Sequence, residues 1–190
     1  MKSVSAAVLA VVWLATPAGA QTTEELLAAS RAASAELVQQ LGAELKKELG
    51  RGGPESAIRV CREMAPQIAG KLSRQSGARV ARVSLKTRNP LLGTPDAWEQ
   101  KILADFDRRA ASENPQSLEH WETVSEPQGR YFRYMKAIPV QPLCLACHGT
   151  EEMIAPAVQQ TLESEYPQDR ARGYSVGQIR GAVTVKRPLP

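Results

Sequence analysis

The pentapeptide Cys144-Leu145-Ala146-Cys147-His148 constrains this chain more than any other stretch. It reads C-x-x-C-H, the pattern that attaches a c-type haem. Each residue type has a chemical task. The two thiols add across the haem vinyl groups as thioethers, and the adjacent His supplies an axial nitrogen to the iron. The spacer residues let both sulfurs reach one side of the macrocycle while the chain turns beneath it. A C-x-x-C can also be a redox disulfide or half of a zinc site. A zinc site needs more ligands, and only Cys61 and His120 remain. A thioredoxin-like motif opens a helix after a strand in a βαβ unit, and that pattern is absent. The expected cofactor is therefore one covalently attached haem c.

The address agrees with that expectation. Met1-Lys2-Ser3 gives a short positive start, Ala6 to Leu14 is an apolar run, and Ala18-Gly19-Ala20 fits the small-residue cleavage rule. Residues 1–20 read as a signal peptide, cleaved after Ala20, and 21–190 as one domain exported to the periplasm. No later stretch is long and apolar enough to span a bilayer, so no membrane contact is expected after cleavage. The chain has three Cys. Two are consumed by the haem, which leaves Cys61 without a protein partner in an oxidising compartment. The net charge of +4 is spread along the sequence, an ordinary solvated surface and not a nucleic-acid footprint.

The periodicities predict α+β. Thr22 to Leu49 reads as a long helix, with Thr23 as a candidate cap, Glu24-Glu25 at its positive end and an apolar stripe through Leu26, Ala33, Leu37, Leu41, Leu45 and Leu49. The spacing suits a brace against a sheet better than a coiled-coil seam. Gly50-Arg51-Gly52-Gly53 ends it. A second helix runs from Pro54 to Leu72, with Ile58, Cys61, Ala65, Ile68 and Leu72 inward and a kink or break expected near Ala65 because of Pro66. Arg79 to Leu85 alternates as a strand, Lys86 to Gly93 as a loop, and Thr94-Pro95 opens a third helix buried through Trp98, Ile102 and Phe106. His120 to Ser125 and Arg130 to Val140 form a hairpin around Glu126-Pro127-Gln128-Gly129. A short helix from Ala155 to Ser164, a loop from Tyr166 to Gly177 and a strand from Gln178 to Lys186 complete the chain. An antiparallel sheet with helices on one face follows. A small all-helical cytochrome fits poorly, because there the attachment motif comes early.

Opposite His148, the residues alone leave Cys61, His120, Met64, Met135 and Met153 open as iron ligands; a bare count favours Met or His, and Met64 competes with Cys61 from one helix. Cys61 is the unpaired thiol and faces inward, and a buried inert Cys would look the same. Arg88 is the first candidate partner for the haem propionates. The sequence contains no Ser/His/Asp, paired-carboxylate or phosphate-cradling arrangement, so no enzyme is expected.

Several segments together resemble a bacterial and cyanobacterial family of exported, PAS-like single-haem proteins. They are Ala57-Ile58-Arg59-Val60-Cys61 with Ala65-Pro66, Arg88-Asn89-Pro90 with Trp98-Glu99, and Tyr134-Met135-Lys136-Ala137-Ile138. Cys144 to Gly149, and Gly173-Tyr174 with Gly177 and Arg180-Gly181-Ala182, complete the set. The resemblance implies a PAS-like antiparallel sheet flanked by helices, and iron ligated by His148 and Cys61. Two function classes follow: a redox or small-gas sensor reporting to a separate protein, or an electron carrier between periplasmic partners.

Overall fold

Thr22 opens the first helix, α1 (Thr23–Arg59), in a computed structural model that describes residues 21–190; the expected signal peptide lies outside the described residues. Thr22 Oγ1 accepts the Glu25 N–H at 3.2 Å and Glu25 Oε2 accepts the Thr22 N–H at 2.8 Å, a reciprocal cap one residue earlier than Thr23. Gly52 and Gly53 leave the helical region, with Gly53 at φ 69°, so the run is two helices joined at the expected glycine break. The second does not end at Pro66. It loosens into a π turn, Val60–Met64, in which the Ala65 N–H reaches the Val60 carbonyl five residues back. That wide turn absorbs the donor missing at Pro66, and α2 (Ala65–Ser76) continues. Arg62, on the turn, pairs with Glu165.

The strands are β1 (Arg79–Val83), β2 (Glu119–Glu126), β3 (Gly129–Pro139) and β4 (Ile179–Pro188). They form one antiparallel sheet in the order β1-β4-β3-β2. β2 and β3 meet at Glu126 and Gly129, with Pro127-Gln128 as the hairpin turn. Between and after the strands come α3 (Pro90–Gly93), α4 (Ala97–Arg109), α5 (Leu145–His148) and α6 (Pro156–Glu165).

Helices cover both faces of the sheet, not one. On the first face Val80, Phe132, Tyr134, Val183 and Val185 pack under α1 and α2 through Leu26, Leu37, Ile68 and Leu72. On the second, Val83, Met135, Ala137 and Ala182 pack under Ile102, Leu103 and Phe106 of α4. The reason is visible in the two central strands: Phe132 to Met135 and Gly181 to Val185 are buried at every position, as two-sided burial demands. Gly181 is obligatory there, because a Cβ would stand 2.3 Å from the Val83 carbonyl oxygen.

Three local boundaries also move. Asp96 caps α4, accepting the Glu99 N–H at 2.9 Å while Glu99 Oε2 accepts the Asp96 N–H at 2.9 Å; Thr94 instead donates its hydroxyl to the Pro90 carbonyl at 2.6 Å and closes α3, which lies within the expected loop. β1 stops at Val83, so Leu85 falls beyond the strand and is exposed. No helix among the described residues is long and apolar enough to cross a membrane.

Candidate cofactor site

β3 delivers the chain to a tight 3₁₀ turn at Pro142–Cys144, and α5 follows at once. The Cys144 N–H bonds the Gln141 carbonyl at 2.9 Å, and the Gly149 N–H bonds the Leu145 carbonyl at 2.9 Å. Gly149 cannot be replaced without movement, since a Cβ would lie 2.7 Å from the Leu145 carbonyl oxygen and 3.0 Å from Met153 Cβ. Cys147 packs against a small core of Ile58, Ile154, Val158, Leu162 and Tyr166, which clamps the turn between the end of α1 and α6.

The segment from Asp169 to Tyr174 closes over the other side of the turn. The Tyr174 N–H bonds the His148 carbonyl at 2.9 Å, and the Gly173 N–H bonds the Gly149 carbonyl at 2.7 Å. His148 Nδ1 lies 2.7 Å from the Ala171 carbonyl oxygen, which can only accept, so Nδ1 carries the proton and Nε2 keeps its lone pair. Burial pushes the His148 ring well below its ordinary pKa, and the guanidiniums of Arg180 and Arg88 act in the same direction. The imidazole is therefore neutral at pH 7, the form that ligates metals. Burial raises the Cys147 thiol, against the pull of Arg88.

His148 looks into two adjoining cavities on the α1/α2 side of the sheet, of about 810 Å³ and about 450 Å³. The larger is bounded by Leu41, Leu45 and Leu49 of α1, by β3, and by Cys144 and Cys147. It falls within the size range of ligand pockets. Cys61 lines both cavities, as does His148. The π turn sets this direction by carrying Cys61 at the wide part of the helix. Of the five residues open as partners to His148, Cys61 alone among the described residues lines these cavities. His120 pairs with Met135 and lies 5.9 Å from Trp98 of α4, on the opposite face of the sheet. Met135 is fully buried under that helix, Met153 is exposed, and Met64 is partly exposed. All three Cys are free thiols. Among the described residues no group of three or more His, Cys, Asp or Glu side chains is arranged to hold a bare metal ion, which leaves the zinc use of the motif without a ligand set.

A family model described as Tll0287-like matches residues 15–188, nearly the whole chain. The chain belongs to the Tll0287-like family. Among solved structures it is similar to the crystal structure of the cyanobacterial heme-protein Tll0287, with 29% identity, a TM-score of 0.61, and coverage of 88% of this chain and 97% of that one. No curated protein matched.

In this member of the Tll0287-like family, Arg88 borders both cavities and makes its hydrogen bonds within the protein. It is buried, pairs with Asp169 at 3.2 Å and donates to the carbonyls of Cys147 and Ala171. It is the latch that holds the Cys144–His148 turn to the 169–171 loop. Sequence reasoning missed Asp169 and Ala171, which sit in a stretch readable only as loop. It also missed Arg180, although Arg180-Gly181-Ala182 carries part of the family resemblance. Burial pushes the Arg180 guanidinium down to about 10, so it stays charged at neutral pH. It donates to Ser84 Oγ at 2.9 Å and the Lys86 carbonyl at 3.2 Å, and its Nε lies 3.2 Å from His148 Nδ1 and 3.4 Å from Nε2.

Proposed function

We propose that this chain is an exported, periplasmic protein that carries one c-type haem and serves as a redox or small-ligand sensor, not as an enzyme. Cys144 and Cys147 would hold the haem through thioethers, and His148 and Cys61 would be the protein's ligands to its iron. The four-stranded sheet acts as a PAS-like platform that passes the change to a separate protein partner. The observation that carries this reading is that Cys61, more than eighty residues upstream of the motif, lines the same cavity as Cys144, Cys147 and His148. The similarity to the heme-protein Tll0287 supports it.

The residues present fit the group. The two motif thiols are free and border an apolar cavity, and His148 holds its proton at Nδ1 and offers Nε2. When bound, the haem supplies an iron that changes oxidation state and accepts axial ligands. The Ala171 carbonyl fixes the His148 ring and raises its basicity, as such partners do at metal-ligating histidines. A metal-bound thiol is deprotonated, so Cys61 contributes a negative charge that favours the ferric state. An electron delivered by a redox partner would weaken the hold of Cys61, whose Sγ would take up a proton from solvent, and the haem could then accept a small gaseous ligand such as CO or NO.

The test uses the purified exported protein. Haem should stay with the chain through acidified-acetone extraction in wild type and be lost from the Cys144→Ser/Cys147→Ser double variant. The oxidised spectrum of Cys61→Ala should differ from wild type; an identical spectrum removes Cys61 as a ligand. Ferrous protein that keeps its low-spin spectrum and ignores CO makes this an electron carrier, the reading in which both ligands stay in place.

A further inference from the structure

The cavity carries more positive charge than the protein neutralises. Arg82, Arg88 and Arg180 all border both cavities and all act on the His148 ring. Asp169 compensates Arg88. Asp169 also pairs with Arg172, so Arg82 and Arg180 remain without a carboxylate of their own beside His148. Arg82 reaches the cavity because it pairs with Val183 and so shares the α1/α2 face of the sheet. Among the described residues neither Arg82 nor Arg180 has an ion-pair partner, whereas Arg79, three positions before Arg82 on β1, meets Glu99 on the other face.

Arg180 is also held in place rather than free to turn outward. Ser84 Oγ and the Lys86 carbonyl take its Nη1, and the guanidinium lies 5.6 Å from the Tyr174 ring. Its Nη2 donates to no protein atom among the described residues. A cation held away from water without a compensating anion is unfavourable. A site built this way is suited to an anion brought by a ligand, through charge-assisted hydrogen bonds.

We infer that Arg82 and Arg180 are the anion seat of this cavity and receive the two propionate carboxylates of the haem, while Arg88 serves the protein's own fold. This inference rests on the haem reading above. The two guanidiniums left without an ion-pair partner match the two carboxylates in number. The guanidinium fork suits a carboxylate better than an ammonium would, so Arg180→Lys should be a poor substitute.

The test compares haem-loaded wild type, Arg82→Gln, Arg180→Gln and their double variant by resonance Raman spectroscopy and redox titration. Arg31→Gln, at the far end of the larger cavity, is the control. The propionate bending band should shift to lower frequency in each Arg82 and Arg180 variant and furthest in the double one. The midpoint potential should fall in the same order, because removing a cation favours the more positive ferric site. Arg31→Gln should leave the band in place. Arg82 is held by no side-chain partner among the described residues, so Arg82→Gln folds and decides the matter even if Arg180→Gln does not. Haem-loaded variants with an unmoved band overturn this inference alone. A wild-type chain without covalent haem overturns both it and the reading on which it rests.

Discussion

The two faces of the sheet treat buried charge in opposite ways. Under α4, Arg133 is almost completely buried, yet it meets Asp96 at 2.7 Å, Glu99 at 3.2 Å and Glu126 at 3.2 Å, and lies 4.3 Å from the Trp98 ring. Glu99 in turn accepts from Thr184 Oγ1 at 2.8 Å and from Arg79 at 3.2 Å. That face neutralises its buried guanidinium with carboxylates of its own, although Arg133 Nε is left without a hydrogen-bond partner. Under α1 and α2, Arg82 and Arg180 have no carboxylate of their own among the described residues, and Leu41, Leu45 and Leu49 border a cavity instead of a core. The closed face stabilises the chain by itself. The open face is finished only when something else enters it.

The contrast can be broken most directly on the closed side. Glu99→Ala leaves Arg133 and Thr184 short of a buried acceptor and should destabilise the haem-free chain by about 3–5 kcal/mol, read as a lower urea midpoint. Next in size is a pair within α1. Leu37 is fully buried against the sheet, so Leu37→Ala should cost about 2–5 kcal/mol. Leu45→Ala on the cavity wall should cost under about 1 kcal/mol in the haem-free chain, because no close-packed shell surrounds it. Equal losses at the two positions would mean that the cavity is closed in solution.

Acid should act on both faces at once and more gently. Arg31 holds the Glu119 carboxyl below its usual range on the open side. Burial raises Asp96, but Arg133 and the Glu99 N–H outweigh it, so this carboxyl is also held low. A depressed folded pKa means the unfolded chain binds the proton first. The contribution of both pairs is complete above about pH 5 and is lost as pH falls through the folded values. Thermal melting from pH 6 to pH 3 should show this, and Arg31→Gln should flatten part of the slope. The smallest effect belongs to Arg82→Gln, which should stay within about 0.5 kcal/mol of wild type without haem. A loss comparable to that of Glu99→Ala would show that Arg82 already has a protein partner.

The sequence made some of this legible and hid the rest for physical reasons. Cys61 could be aimed inward because helical period ties its direction to Ile58, Ala65 and Ile68. The hairpin around Pro127-Gln128 followed from turn chemistry, and the two strands it joins matched closely. The second helical layer did not follow, because continuous burial in β3 and β4 reads as strand without saying what covers each side. Arg82 and Arg180 were hidden for a related reason: a charged residue in an alternating strand looks solvent-facing until the layers are placed. The Arg88–Asp169 latch joins residues 81 apart in the chain, beyond the reach of any periodicity.

The π turn at Val60–Met64 also has an arithmetic consequence. In an α-helix each residue advances the direction of side chains by about 100°, so one residue more or less re-aims everything beyond it. The wide turn works as a phase adjuster between two helical segments that each have a surface to match. Upstream, Ala57 and Ile58 must stay against the attachment turn; downstream, Ile68 and Leu72 must stay against the sheet. A deletion of one residue between Val60 and Met64 would restore a regular helix and keep every side chain's chemistry. It would then force a choice between the two contacts, and keeping the downstream one would turn Cys61 away from the cavity.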